Sequence, residues 1–255
     1  MDNLIKLAYP FSPYCFICGA AIPLENEYQL CSSCMKKLRF DQYVIDKEAL
    51  FRDFNIDAKS SLKTAISCSY YGMYEKKLIG NLKFSGKTYY ARTIAKIMAD
   101  RVLSDEEVVG NYIDIDYIVP VPLSEGKLNK RGFNQCGLIA NFFRIEMPDI
   151  FEFTVENDLL IRNVDTKPMK DITGYERYIN LENVFSVNPV KEKKLQGKKI
   201  LLIDDVYTSG STAEHCAAVL LGAGAKEVHF YSYSYVFRKQ SEDYYIISES
   251  IPRTL

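Results

Sequence analysis

Two adjacent acids, Asp204 and Asp205, follow the aliphatic run Ile200-Leu201-Leu202-Ile203 and precede Val206-Tyr207-Thr208-Ser209-Gly210-Ser211-Thr212. The aliphatics predict a buried central strand, and the carboxyl end of such a strand is where parallel sheets open onto a ligand crevice. Two carboxylates placed there repel each other unless a ligand or cation compensates, and both can accept hydrogen bonds from sugar hydroxyls. Thr208 to Thr212 supplies backbone N–H groups, small hydroxyls, an unencumbered glycine and the start of a helix, a combination suited to a phosphate dianion. A helix cap alone would also use Ser and Thr here, but it leaves the paired acids unexplained. The run lacks a Gly-Lys-Ser/Thr ending and Gly-x-Gly-x-x-Gly spacing, which excludes a Walker loop and a dinucleotide fingerprint.

Cysteines set a second chemistry. Cys15-x-x-Cys18 and Cys31-x-x-Cys34, with twelve residues between the pairs, can supply two thiolate knuckles to one tetrahedral Zn²⁺. Four thiolates leave no open position, so such a site is structural; disulfides and an iron–sulfur cluster are the alternatives. Cys68, Cys136 and Cys216 sit among apolar residues and read as buried, inert thiols. His215 and His229 read as structural, with His215 a candidate for a role beside the phosphate loop. The alternation of Tyr231, Tyr233 and Tyr235 predicts a half-buried strand rather than a base-stacking face.

The elements that must hold these groups alternate between strand and helix. Leu62 to Tyr71 reads as a strand and Tyr74 to Leu82 as a helix, before the Phe84-Ser85-Gly86-Lys87 turn. From Thr88 a helix places Ala91, Ile94, Ala95, Met98 and Val102 on one buried face. Tyr117 to Val121 is a short buried strand, followed by a polar, basic loop to Gly132 and a helix carrying Leu138, Ile139, Phe142 and Phe143. Further strands are expected at Leu159 to Arg162, Lys199 to Ile203 and Glu227 to Phe237, with a helix from Ser211 to Leu221. This order implies an α/β fold with right-handed crossovers and a mainly parallel sheet flanked by helices. The expected organisation is a zinc module over 1–40, a connector over 41–58 and an α/β domain over 59–255.

The chain has 255 residues, 47% hydrophobic and 25% charged, an ordinary globular composition. Its net charge of −1 argues against gripping duplex nucleic acid through bulk electrostatics, leaving only a local basic strip for that purpose. Met1-Asp2-Asn3 carries no positive leader and no apolar run reaches membrane-spanning length, so a cytoplasmic protein without membrane insertion is expected.

The run from Asp204 to Thr212 resembles the signature of type I phosphoribosyltransferases. That resemblance implies phosphoribosyl diphosphate with Mg²⁺ as ligand, Asp204 and Asp205 on the ribose 2- and 3-hydroxyls, and Thr208, Ser209, Gly210, Ser211 and Thr212 on the 5-phosphate. The 6-oxopurine enzymes have an acid where this chain has Thr208. Val119-Pro120-Val121-Pro122-Leu123-Ser124 is similar to the strand and pyrophosphate loop of amidophosphoribosyltransferase-like members, which implies Pro122, Leu123 and Ser124 as ligand contacts. Lys127-Leu128-Asn129-Lys130-Arg131-Gly132-Phe133-Asn134-Gln135 and Leu82-Lys83-Phe84-Ser85-Gly86-Lys87 resemble the ComF-type competence proteins. So do Asp165-Thr166, Glu176-Arg177-Tyr178-Ile179-Asn180 and the amino-terminal cysteines. The resemblance covers nearly the whole chain, with departures at Gly126, usually another basic residue in the family, and Met169, often Gln. Lys83, Lys87, Lys130 and Arg131 are the cations available to pyrophosphate oxygens. Glutamine-dependent amidophosphoribosyl transfer is not expected, because no amino-terminal cysteine nucleophile is present.

The resemblance implies a factor in DNA uptake and natural transformation that binds phosphoribosyl diphosphate, contacts single-stranded DNA and meets other competence proteins. The alternative is a phosphoribosyltransferase that releases pyrophosphate on transfer to a nitrogen acceptor. No residue can be assigned to base selection from the sequence. Lys36, Lys37 and Arg39, together with Lys127, Lys130 and Arg131, are the clustered cations that could meet a DNA strand.

Overall fold

The computed structural model describes residues 12–53, 56–164 and 178–236. In chain order the elements are α1 (Ser32–Met35), β1 (Phe40–Val44), α2 (Ala49–Asp53), β2 (Thr64–Ser69), α3 (Met73–Phe84), α4 (Tyr90–Leu103), α5 (Glu106–Tyr112) and β3 (Tyr117–Pro120). There follow α6 (Glu125–Arg131), α7 (Gln135–Glu146), β4 (Thr154–Val155), β5 (Leu160–Arg162), β6 (Phe185–Val187), β7 (Lys199–Tyr207), α8 (Ser211–Gly222) and β8 (Glu227–Tyr235).

Six strands form one sheet in the order β1-β2-β8-β7-β3-β4. Every pairing in it is parallel except that of β1 with β2. Side chains alternate across β7: Leu201 and Ile203 enter the core formed with α4 and α7, whereas Ile200 and Leu202 enter the core beneath α8. A strand covered on both faces needs this continuous aliphatic run, which is why β7 is plain in the sequence. The expected strand at Leu159 to Arg162 is present as β5, but it pairs antiparallel with β6 in a separate two-stranded sheet.

Three expectations are corrected. Tyr231 and Tyr233 are fully buried, because β8 lies between β2 and β7 with helices on both sides; only Tyr235, at the strand end, is half-buried. The Tyr231 hydroxyl meets its hydrogen-bonding need by donating to the Met98 carbonyl at 3.0 Å. The stretch 41–58, read as a connector, contributes most of β1 and all of α2. Finally, the basic loop after β3 contains α6, a helix with no buried residue and therefore no apolar period to announce it.

The cysteine segment is packed onto the sheet domain. Cys15, Ile17, Leu30, Cys34 and Leu38 belong to the same hydrophobic cluster as Ile94 and Met98 of α4. Phe16 stacks on Tyr90 with ring centroids 4.2 Å apart, and the Tyr90 hydroxyl donates to the Phe16 carbonyl at 3.0 Å. Among the described residues, no helix is long and apolar enough to cross a membrane.

Candidate functional site

β3 and β7 are neighbours, yet their connections leave in opposite directions. From β3 the chain runs through α6 and α7 to β4; from β7 it runs through α8 to β8 on the other side. Adjacent parallel strands that part in this way open a crevice at their carboxyl ends. Asp204 and Asp205 lie there, within the carboxyl-terminal half of β7 rather than beyond it.

Asp205 is buried and Asp204 half-buried. The Asp204 Oδ1 accepts the Asp205 N–H at 2.8 Å and the Cys136 thiol at 3.2 Å. Lys83, at the end of α3, ion-pairs with Asp205 Oδ2, which has no hydrogen bond within the described residues. Burial, and then the Asp205 charge beside it, raise the Asp204 carboxyl to about 7, against the opposing pull of Lys83. Burial followed by the two carboxylates pushes the Cys136 thiol well up, so it stays protonated and donates. Burial works to lower the Lys83 ammonium, but Asp205 and Asp204 outweigh it and hold it above its ordinary range.

Cys136 is thus buried as expected but not a bystander. Its part in the site rests on a contact between α7 and β7, and no local pattern in the sequence carries that information. The sequence offers Lys83 as a cation facing pyrophosphate; the structure places it on Asp205.

The loop beyond β7 turns sharply into α8. Gly210 has φ +83°, and a Cβ there would lie 2.9 Å from Tyr207 Cζ, so both conformation and space require glycine. Gly210 caps α8 without a side chain, which leaves first-turn N–H groups for an anion. The Ser209 and Ser211 hydroxyls are 3.0 Å apart and buried, whereas Thr208 is exposed and Thr212 half-buried. Glu214, missed in the sequence, is buried in the first turn of α8. It accepts from Ser60 Oγ at 2.8 Å and from the Ser61 N–H at 2.6 Å, tying the loop before β2 to the first turn of α8. His215 is engaged structurally, with Nδ1 2.8 Å from the Ser211 carbonyl and its ring 4.6 Å from that of Tyr178.

On the opposite wall, Pro122 is buried, Leu123 is half-buried, and the Ser124 hydroxyl is buried without a partner among the described residues. Asn134 fixes this wall: its Nδ2 donates to the Val121 carbonyl at 3.1 Å, and its Oδ1 accepts the Cys136 N–H at 3.0 Å to cap α7. Arg131 donates to Gln135 Oε1, and its guanidinium lies 5.7 Å from the Phe84 ring centroid. Lys87 lies 5.7 Å from the Tyr90 ring centroid and Lys130 is exposed. Asp165, Thr166, Met169, Glu176 and Arg177 lie outside the described residues.

The four paired cysteines converge, their sulfurs all within 4.8 Å of one another and Cys18 Sγ 3.7 Å from Cys31 Sγ. Tetrahedral Zn–S bonds of about 2.3 Å require sulfurs about 3.8 Å apart, so the donor set fits such an ion. Turn hydrogen bonds from Gly19 N to Cys15 O and from Met35 N to Cys31 O, both 2.9 Å, shape the two knuckles. Burial works to raise the Cys15 thiol, but backbone N–H groups around Cys18, Cys31 and Ile17 outweigh it and lower the thiol to about 7, whereas burial and the neighbouring sulfurs push the Cys34 thiol up. Cys136, Asp204 and Asp205 form a second group of donors within 4.8 Å of one another.

Residues 158–251 match the family model described as the phosphoribosyl transferase domain. The chain is 25% identical to the DNA utilization protein YhgH of Escherichia coli, over 84% of this chain and 93% of that protein. It is 24% identical to Competence protein F of Haemophilus influenzae, over 85% of this chain and 82% of the relative. Against Competence protein ComFC of Streptococcus pneumoniae the identity is 27%, over 64% of each. A solved structure of the allosteric regulatory enzyme of purine biosynthesis aligns over 56% of this chain and 25% of its own, at 19% identity and a TM-score of 0.34.

Sheet order, carboxylate pair and domain match together define a phosphoribosyltransferase-like protein. The relatives above make the chain similar, within that class, to the ComF-type competence proteins.

Proposed function

We propose that the chain binds phosphoribosyl diphosphate with Mg²⁺ in the β3/β7 crevice and acts in DNA uptake, contacting single-stranded DNA. One observation carries this reading: a carboxylate pair, Asp205 buried and Asp204 half-buried, a few residues before a glycine-turned helix start, with Lys83 as its only ion-pair partner among the described residues. Asp204 and Asp205 would receive the ribose hydroxyls, and residues 208 to 212 the 5-phosphate. The second wall, where the Ser124 hydroxyl is buried without a partner among the described residues, would receive pyrophosphate. The role in DNA uptake is supported by the relatives named competence protein and DNA utilization protein. The cysteine cluster is proposed as a zinc site holding Cys15, Cys18, Cys31 and Cys34 together, and the protein as cytoplasmic.

A second reading, transfer of the ribosyl group to a nitrogen acceptor with loss of pyrophosphate, is favoured by the match to a phosphoribosyl transferase domain. Calorimetry with Mg²⁺ and phosphoribosyl diphosphate tests the shared pocket. Asp204→Asn with Asp205→Asn should weaken binding by roughly tenfold or more, the size of a lost charge-assisted hydrogen bond. Undiminished affinity would refute the assignment, and pyrophosphate release on adding an acceptor would decide for transfer.

A further inference from the structure

Phe84 closes α3 with 81% of its surface exposed. A lone exposed ring needs no explanation, but this one is covered on one side by a held cation. The Arg131 guanidinium lies 5.7 Å from its centroid and is fixed by donating to Gln135, itself only 4% exposed. A ring recruited for packing would be hidden by its partner, and here it is not. The residue before Phe84 is Lys83, ion-paired to Asp205. Gln135, which holds Arg131, precedes Cys136, whose thiol donates to Asp204, so ring and guanidinium are each tied through a chain neighbour to a side chain that touches the carboxylate pair.

A delocalised planar cation beside an exposed aromatic face offers two flat surfaces to one planar guest. Exposed Lys130, one residue from Arg131, and Lys87, three residues beyond Phe84, would suit a guest that also carries phosphate. We propose that Phe84 and Arg131 form a stacking subsite for a nucleobase next to the ribose-phosphate crevice. This supplies the base-contacting surface that the sequence does not reveal. The proposal rests on the reading of the crevice given above only for the identity of its neighbour. The nucleobase can belong to a single strand or to a free nucleoside, since both present the same π face.

The test compares oligothymidylate with an abasic strand of equal length, by fluorescence anisotropy, on the full chain. The parent should favour the base-bearing strand on the order of tenfold, as loss of one stacked base implies. Phe84→Ala should bring that ratio close to one, and so should Arg131→Lys, which keeps the charge but not the plane. Because the chain contains no tryptophan, Phe84→Trp introduces a single reporter whose emission should be quenched on stacking. Quenching by oligothymidylate but not by thymidine assigns the subsite to strand bases, and quenching by thymidine assigns it to a free nucleoside. Equal affinity of the parent for both strands, a ratio that survives both variants, or emission from the Phe84→Trp variant that neither guest quenches would overturn the proposal. Failure of the crevice reading looks different: the parent would bind no phosphoribosyl diphosphate in calorimetry while its preference for bases persisted.

Discussion

The Lys83 ammonium is ion-paired with the Asp205 carboxylate, joining the last turn of α3 to the carboxyl end of β7. With a 4% exposed carboxylate side chain on one side and a 22% exposed lysine on the other, the pair lies mostly out of solvent. Removing one partner of such a pair strands the other charge. Lys83→Met should therefore destabilise the protein by about 1–3 kcal/mol at neutral pH. Adding Asp205→Asn to the same chain should recover most of the loss. Urea unfolding of the two variants checks this, and a double variant no more stable than Lys83→Met alone would refute it.

Asp204 makes stability depend on pH in the unusual direction for an acid. Its folded-state carboxyl, raised to about 7 from 3.8 by burial and by Asp205, binds its proton more tightly than the unfolded chain does. Its contribution is thus fully present below about pH 4 and is lost as pH rises through about 7. Asp204→Asn removes this dependence, so the variant should gain stability relative to the parent by a few kcal/mol between pH 5 and pH 8, on the order of the shift itself. Ligand affinity should fall in the same variant, the exchange of stability for function common at binding sites. Urea unfolding of parent and variant at both pH values is the measurement; parallel curves would sink the claim.

The sequence carried what depends on local pattern and missed what depends on distant contacts. The β7 aliphatics, the Gly210 turn and the Cys-x-x-Cys pairs are legible because strand burial, positive φ and ligand spacing each impose residue types at fixed offsets. α6 was missed because a wholly exposed helix needs no apolar face. β4, two residues long, is too short to show a period. The thiol of Cys136 on Asp204, Lys83 on Asp205 and Glu214 on Ser60 all join elements far apart in the chain. A buried polar residue declares only that it needs a partner, not which one.

The cysteine cluster should stabilise more than its own segment. Its members Cys15 and Cys34 share a hydrophobic core with Ile94, Met98 and Val102 of α4, and the buried Glu75 accepts the Arg39 N–H at 2.8 Å, pinning the end of the segment to α3. Cys34→Ser, or a strong chelator, should release one zinc per chain and lower the melting temperature of the entire protein in one cooperative transition. Elemental analysis and calorimetric melting test both parts. Freshly purified protein without zinc, or a chelated protein whose main transition is unmoved, would contradict the prediction.

The basic clusters sit at the two ends of α3, which constrains how a DNA strand can use them. Lys37 and Arg39 lie 5.6 Å and 5.5 Å from the ring centroids of Tyr74 and Tyr70, at the amino end. Arg131 lies over Phe84 at the carboxyl end, with Lys130 exposed beside it. Ten residues of helix separate Tyr74 from Phe84, roughly 15 Å, so a strand meeting both clusters must run along the helix, and one of a few nucleotides reaches only one. Affinity should therefore rise with strand length until both ends are covered and stay nearly indifferent to sequence. Single-stranded DNA releases counterions with a slope of about −0.7 per neutralised phosphate. Replacing Lys36, Lys37 and Arg39 with Gln should then flatten the salt slope by up to about 2, and so should replacing Lys127, Lys130 and Arg131. The two effects should add, since the clusters are far enough apart not to couple. Anisotropy titrations from low to high salt measure the slope directly. Salt-independent binding, or a slope unchanged when all six cations are gone, would remove these clusters from the DNA-binding surface.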